Sequence, residues 1–285
     1  MMSKSENAPT PLVSVIMATY NEPPDMVASA IDSILNQTYK NFELLIFDDS
    51  TNSDTITCID KKAQDFRVRV YRYEQRKGFV EALNEGLRLA EGKFIARMDG
   101  DDFSLPERLE KEVDFLEKHP EVSIVGGQMD IMDENSVVVS HRSYPTNGIK
   151  LWWFSCFRNP VAHPTIMMRR EIIERGYYYN ERLKMSEDLD LWLRLMNDGY
   201  KIENVKDTVL RYRVQSNFND KRISQKQRDY MANVRKMNFK VTRPIHSTLS
   251  VMAGWLFLHI PTWSIKKIYN SENKKNEIIE GRKKI

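Results

Sequence analysis

Four short apolar runs alternate with three helix-patterned segments over the first hundred residues, and this alternation limits the fold more than any other feature. Residues 12–17, 42–47, 67–73 and 92–96 read as strands. Between the first two, Met26, Ala30, Ile31, Ile34 and Leu35 recur at helical spacing; residues 54–64 and 79–90 supply two further helices. Strands that are continuously apolar and separated by helices predict a doubly wound, mainly parallel α/β sheet. Such sheets bind ligands at the carboxyl ends of their strands. Three polar turns converge there: the loop Ala18, Thr19, Tyr20, Asn21, Glu22, the pair Asp48-Asp49, and Asp99-Gly100-Asp101-Asp102.

The last turn sets three carboxylates directly after a strand. Crowded hard oxygen ligands suit Mg²⁺ or Mn²⁺, and such a cation commonly neutralises the phosphates of a nucleotide. An EF-hand does not account for them, because Phe103 and Ser104 stand where a ligand and the obligatory glycine belong. A second reading stays open, in which Asp99 or Asp102 caps the helix beginning near Pro106. No glycine-rich phosphate loop follows the first strand, which disfavours both dinucleotide redox chemistry and P-loop hydrolysis.

Farther along, residues 106–119 read as a helix, 122–127 as a strand and 128–144 as β-structure with a turn at 133–135. The aromatic run Trp152, Trp153, Phe154, Phe157 offers an apolar wall for an acceptor. Ser186-Glu187-Asp188 opens an amphipathic helix; Ser186 or Asp188 caps it, or a carboxylate there acts as a general base.

The chain of 285 residues can bury one substantial core. The expected organisation is a flexible N-terminus over 1–10, a catalytic domain over 11–220 and a basic helical tail over 221–285. The tail holds 15 Lys and Arg against 4 Asp and Glu, whereas the rest holds 28 against 36. Cys58 and Cys156 have no metal-ligand spacing, and the polar first eleven residues lack the apolar core of a secretion signal, so a cytoplasmic location is expected. Residues 244–265 contain no Asp, Glu, Lys or Arg, and basic residues flank them, including Arg243, Lys266, Lys267, Lys274 and Lys275. The run is interrupted by His246, Ser247, Thr248, His259 and Pro261, so an interfacial helix on the inner face of the membrane is expected in preference to a span; a helix packed on the catalytic domain is the alternative. Nucleic-acid binding is not expected, since the tail has no interleaved aromatic platform.

Five ordered blocks give the chain a family resemblance. They are Val13–Asn21, Ser33–Tyr39, Phe42–Ser50, Asp99–Asp102 and Ser186–Trp192. Together they resemble the family 2 glycosyltransferases of bacterial surface-polysaccharide type, over residues 11–217. The resemblance implies a GT-A fold: a Rossmann-like nucleotide-binding half, an acceptor half and, here, a C-terminal helical appendage. It further implies that Ala18, Thr19, Tyr20, Asn21, Glu22, Asp48, Asp49, Asn84, Asp99 and Gly100 hold a UDP-sugar. Tyr20 would lie near the base, and Asp49 would accept from its ring N–H. Asp99 and Asp101 would ligate Mn²⁺ or Mg²⁺, with Asp188 as the base of an inverting transfer. Glu187, His163 and Trp192 are acceptor contacts on this reading, and Lys77 is a solvated surface charge. Members frequently carry histidine where Gln215 stands. The implied activity is transfer of a hexose or N-acetylhexosamine to a lipid-linked or lipopolysaccharide-type glycan during O-antigen or capsule assembly. A protein or soluble acceptor, or a non-catalytic sugar-nucleotide binding module, is the alternative.

Overall fold

A computed structural model describes residues 10–214, 224–261 and 264. Its centre is β1 (Val13–Thr19), flanked by β2 (Phe42–Asp48) and β4 (Phe94–Asp99), with β3 (Val68–Tyr71) at the edge. These four strands run parallel, as expected for runs that are apolar on both faces. The crossovers are α1 (Pro24–Leu35), α2 (Ser53–Lys62) and α3 (Phe79–Leu89). Asn52 caps α2 by accepting from the amides of Asp54 and Thr55, and Lys61 and Lys62 close its far end, where the helix dipole is negative.

Beyond β4 the sheet continues through β8 (Met167–Arg169), β6 (Val122–Met132), β9 (Lys201–Arg213) and β5 (Phe103–Ser104), and β7 (Val138–Arg142) pairs with the outer part of β6. β8 is antiparallel to β4 and β6, so the sheet is mixed in this half. Strand β6 runs five residues past the expected end at 127, and with β7 it forms the anticipated β-structure after 128. The helices here are α4 (Arg108–Lys118), α5 (Gly148–Ser155), α6 (Glu171–Glu174) and α7 (Glu187–Asn197). The architecture is the expected mainly parallel α/β sheet with a helical C-terminal region.

That region comprises α8 (Gln225–Met237) and α9 (Pro244–His259). Helix α8 packs on α7 through Val234, which joins Leu183, Leu189 and Leu193. Helix α9 is built inside out. Its polar and small residues His246, Ser247, Ser250 and Gly254 are buried, whereas Ile245, Met252, Trp255 and Leu256 are 69, 53, 54 and 51% exposed. His246 holds the inner face through Ser155 Oγ and the Trp152 carbonyl, both at 3.0 Å. Among the described residues no helix is long and apolar enough to cross a membrane. Gln215 and the basic residues at 266, 267, 274 and 275 lie outside the described residues.

Candidate active site

Strand register brings the three polar turns together. Thr19 stands opposite Asp48, and Ala18 opposite Asp99, at the carboxyl ends of β1, β2 and β4. Thr19 donates to Asp48 Oδ1 at 3.1 Å, while Arg72 Nε reaches Oδ2 at 2.7 Å. Burial pushes the Asp48 carboxyl up, but hydrogen bonds from Ser50 and Arg72 outweigh it and hold the group below its usual range. Asn21 adopts φ +58°, a left-handed conformation that asparagine tolerates, and its Oδ1 accepts from the amides of Thr51 and Asn52, both at 2.8 Å.

Tyr20 is exposed, and the Arg76 guanidinium lies 3.5 Å above its ring centre, so a flat cationic and aromatic pair stands just past the carboxyl end of β1. Asp49 faces the same mouth and accepts from the Gly78 amide at 2.7 Å and the Lys77 amide at 3.3 Å. It thereby pins the start of α3 and keeps further lone pairs for a ligand. Lys77 is not the solvated charge expected from its type: Nζ bonds Glu85 at 2.7 Å and lies 3.6 Å over the Tyr73 ring.

The acidic turn is held from beneath. Arg97 grips both oxygens of Asp99, with Nη1 to Oδ2 at 2.8 Å and Nη2 to Oδ1. Arg213 donates through its backbone N–H to Asp102 Oδ1 and through Nε to the Asp101 carbonyl, each at 2.8 Å. Asp99 and Asp102 therefore do not cap α4, whose first turn carries no side-chain cap. A Cβ on Gly100 would fall 2.8 Å from Thr19 Cγ2 and 3.3 Å from Glu22 Cδ, so only glycine lets the turn close against the first loop. Burial and then the Asp99 charge push Asp101 up to about 6, and burial chiefly pushes Glu22 up to about 7, with the nearby Asp101 and Asp99 adding to it. A divalent cation would relieve this crowding of carboxylates. Among the described residues no three His, Cys, Asp or Glu gather as a complete metal cage. Mg²⁺ and Mn²⁺ take one or two carboxylates and complete their shell with phosphates and water, and Asp99 and Asp101 are the residues that could supply those carboxylates.

Across the sheet, Asp188 and Asp99 line one cleft of about 210 Å³, together with Arg97, Asn159, His163 and Glu187. Asn159 donates to Asp188 Oδ2, and the Leu189 amide to Oδ1 at 2.7 Å. Ser186 sits at the N-cap position of α7 with φ +61° and makes no side-chain cap; its Oγ instead accepts from Gln227 of α8 at 3.0 Å. Burial, then the Asp188 charge, push Glu187 up to about 7. His163 is held well below its usual range by burial and by Arg97, so the imidazole is neutral; Nε2 lies 2.9 Å from the Tyr179 hydroxyl.

Four expected site residues turn away from the surface: Thr19 and Asp48, each 3% exposed and bonded to one another, and Asn84 and Trp192. Asn84 is 1% exposed, and residues 179–181 occupy its amide: Nδ2 donates to the Tyr179 carbonyl and Glu181, and Oδ1 accepts from the Tyr179 amide. It clasps that loop, which takes up both ends of its amide. Trp192 has no exposed surface and backs the His163 ring at 6.0 Å, because the inward face of α7 carries it into the core. Sequence reasoning missed Arg97, Asn159 and Arg76. The Asn159-Pro160 dipeptide signals only a turn, and a lone arginine such as Arg97 reads as a solvated charge.

Residues 14–176 match the glycosyl transferase family 2 model, and the chain belongs to that family. It is 36% identical over 212 residues to the O-antigen biosynthesis glycosyltransferase WbnJ of Escherichia coli, covering 71% of this chain and 80% of that one. It is 30% identical over 203 residues to the UDP-Glc:alpha-D-GlcNAc-diphosphoundecaprenol beta-1,3-glucosyltransferase WfaP of the same species, covering 71% of this chain and 77% of that one. The fold is similar to that of S. aureus TarS 1-349 in complex with UDP-GlcNAc (TM-score 0.64, 19% identity, 84% of this chain and 70% of that one). It is likewise similar to the mannosyltransferase PcManGT from Pyrobaculum calidifontis in complex with GDP-Man and Mn²⁺ (TM-score 0.63, 18% identity, 92% and 80%).

Proposed function

We propose that the chain is an inverting, metal-dependent glycosyltransferase that moves a sugar from a UDP-sugar to a lipid-linked glycan during surface-polysaccharide assembly. The observation that carries this reading is the single cleft shared by Asp99 and Asp188. The loop 18–22 and Asp49 hold the nucleotide, and Asp99 and Asp101 hold Mn²⁺ or Mg²⁺. When bound, the cation stabilises charge on the departing diphosphate. Asp188, oriented by Asn159, accepts the proton of the acceptor hydroxyl as that oxygen attacks the anomeric carbon from the face opposite the nucleotide, which inverts configuration. Glu187 and His163 flank the acceptor at the same wall.

The names of WbnJ and WfaP support the polysaccharide setting, and that of WfaP supports a UDP donor and a diphospholipid acceptor. Binding at the inner membrane surface is supported by α9, whose apolar residues face outward. UDP release should be measured from UDP-Glc, UDP-Gal, UDP-GlcNAc and UDP-GalNAc, with GDP-Man as a control, in membrane extract with and without Mn²⁺. One UDP-sugar is expected to turn over in a metal- and extract-dependent way that Asp188→Asn abolishes. Turnover unaffected by Asp188→Asn would refute the assignment of the base, and donor binding without turnover in any extract would favour a binding module.

A further inference from the structure

A second cavity, of about 340 Å³, lies where α8 and α9 meet the catalytic core. It shares Asp188, Asn159, Arg142 and Tyr144 with the cleft already described, so the two spaces adjoin at the base. Phe154, Phe157, Met231 and Phe257 give it an apolar lining, while Arg142, Arg158 and Arg235 face it against the one carboxylate of Asp188. Arg235 is the unusual member. It is 2% exposed; Nη1 donates to the Ser155 carbonyl at 2.7 Å and Ser250 Oγ at 2.8 Å, and Nη2 has no hydrogen-bond partner among the described residues. Burial pushes its guanidinium down to about 10, so the charge is held at a cost that an anion would offset. A Cβ on Gly254 would fall 3.1 Å from Arg235 Cδ and 3.2 Å from Ala232 Cα, so the glycine lets α9 close over the arginine stem.

We propose that this cavity receives the phosphate-bearing hydrocarbon of the acceptor, with the phosphates on its arginines and the first part of the chain among its phenylalanines. The proposal rests on the lipid-linked acceptor reading and gives it a location. An apolar lining alone would suit any greasy ligand, and arginines alone any anion; both together, beside the base, suit a lipid phosphate whose sugar reaches Asp188. Such an acceptor is short, because the cavity and the cleft meet at Asp188 and Asn159. Helix α9 supplies Ala253, Gly254 and Phe257 to the cavity and Met252, Trp255 and Leu256 to the exposed face, so a hydrocarbon leaving the pocket continues along the same helix.

Farnesyl diphosphate serves as the probe, titrated calorimetrically into the full-length protein with UDP and Mn²⁺ at saturation. It is expected to bind at least tenfold more tightly than inorganic diphosphate or farnesol. Ala253→Phe, which fills the pocket, is expected to weaken it at least tenfold without changing UDP affinity or Tm, and Phe257→Ser provides the same test should the first variant not fold. Unchanged farnesyl diphosphate affinity in a folded variant overturns the proposal. So does mutual exclusion with UDP, which would place the probe in the donor site, or equal competition by dioctanoyl phosphatidylglycerol, which would make the occupant a bulk membrane lipid. Extract-dependent UDP release with no probe binding would sink this pocket alone; probe binding without any such release would sink the transferase reading, and with it the pocket's role as an acceptor site.

Discussion

The side-chain amide of Asn159 donates to Oδ2 of Asp188, while the Leu189 amide holds the other oxygen at 2.7 Å. Asn159 lies 29 residues before Asp188, beyond a 3₁₀ turn, β8 and α6, so the carboxylate is oriented by a segment distant in sequence from its own helix. Asn159→Ala frees the carboxylate to rotate. A fall in kcat of about 100-fold with little change in donor KM is expected, the scale on which misplacing a catalytic group acts. Equal kinetics in the variant and the parent would remove Asn159 from the mechanism.

Arg97, itself buried, and the partly buried Asp99 form a two-pronged ion pair, and Arg97 also lies 5.2 Å from the centre of the Phe79 ring. Removing one partner of such a pair leaves an uncompensated charge, at about 3 kcal/mol. Arg97→Met should therefore lower Tm by roughly 6–10 °C. Saturating Mn²⁺ and UDP should raise Tm more in the variant than in the parent, since a cation can take over the orphaned Asp99. A variant melting with the parent, with and without these ligands, would contradict this account.

Glu187 predicts a pH signature of definite sign. Its folded-state pKa of about 7 exceeds the ordinary 4.5. The folded protein thus binds more protons than the unfolded chain between about pH 4.5 and 7, and stability falls as pH rises through that window. Glu187→Gln abolishes the penalty: it should be more stable than the parent at pH 8, by on the order of 2 kcal/mol, and nearly equal to it at pH 4. In kinetics, ionised Glu187 can accept from an acceptor hydroxyl, so parent kcat should climb through pH 7 and the variant should lack that step. Denaturant unfolding and initial rates at the same pH values check both.

The nucleotide-binding half was legible because its strands are apolar on both faces and its acidic turns fall at strand ends, a pattern that periodicity alone reports. Asp99 and Asp188 lie in one cleft because strand register and the start of α7 put them there, and their residue types and positions already pointed to it. Asn84 and Trp192 misled for a common reason: each has chemistry suited to a ligand, but which face of a helix meets the core is decided by tertiary packing. Arg97 and Arg235 were missed for the converse reason. A lone arginine in a strand or in a basic helix reads as solvated, and only the fold reveals that its charge is enclosed. Helix α9 reverses the usual placing, its buried positions polar or small and several of its exposed ones apolar, the opposite of what a helix on a water-facing surface would carry.

That inversion yields the last prediction. Ile245, Met252, Trp255 and Leu256 make no demand on the core, which α9 reaches through His246, Ser247, Ser250 and Gly254. Trp255→Glu combined with Leu256→Glu should therefore leave Tm within the small range typical of exposed substitutions, about 0.5 kcal/mol each. If the outer face rests on a bilayer, the same pair removes apolar contact and adds charge repelled by anionic headgroups. Co-sedimentation with vesicles containing phosphatidylglycerol should then drop at least tenfold, and turnover of a membrane-borne acceptor should fall with it while UDP binding persists. Deleting the helix would be a poorer test, because the loss of His246 and Ser250 would expose Ser155 and Arg235 to water and confound folding with attachment. Equal sedimentation of the parent and the double variant would exclude α9 as the contact surface, whatever their stabilities.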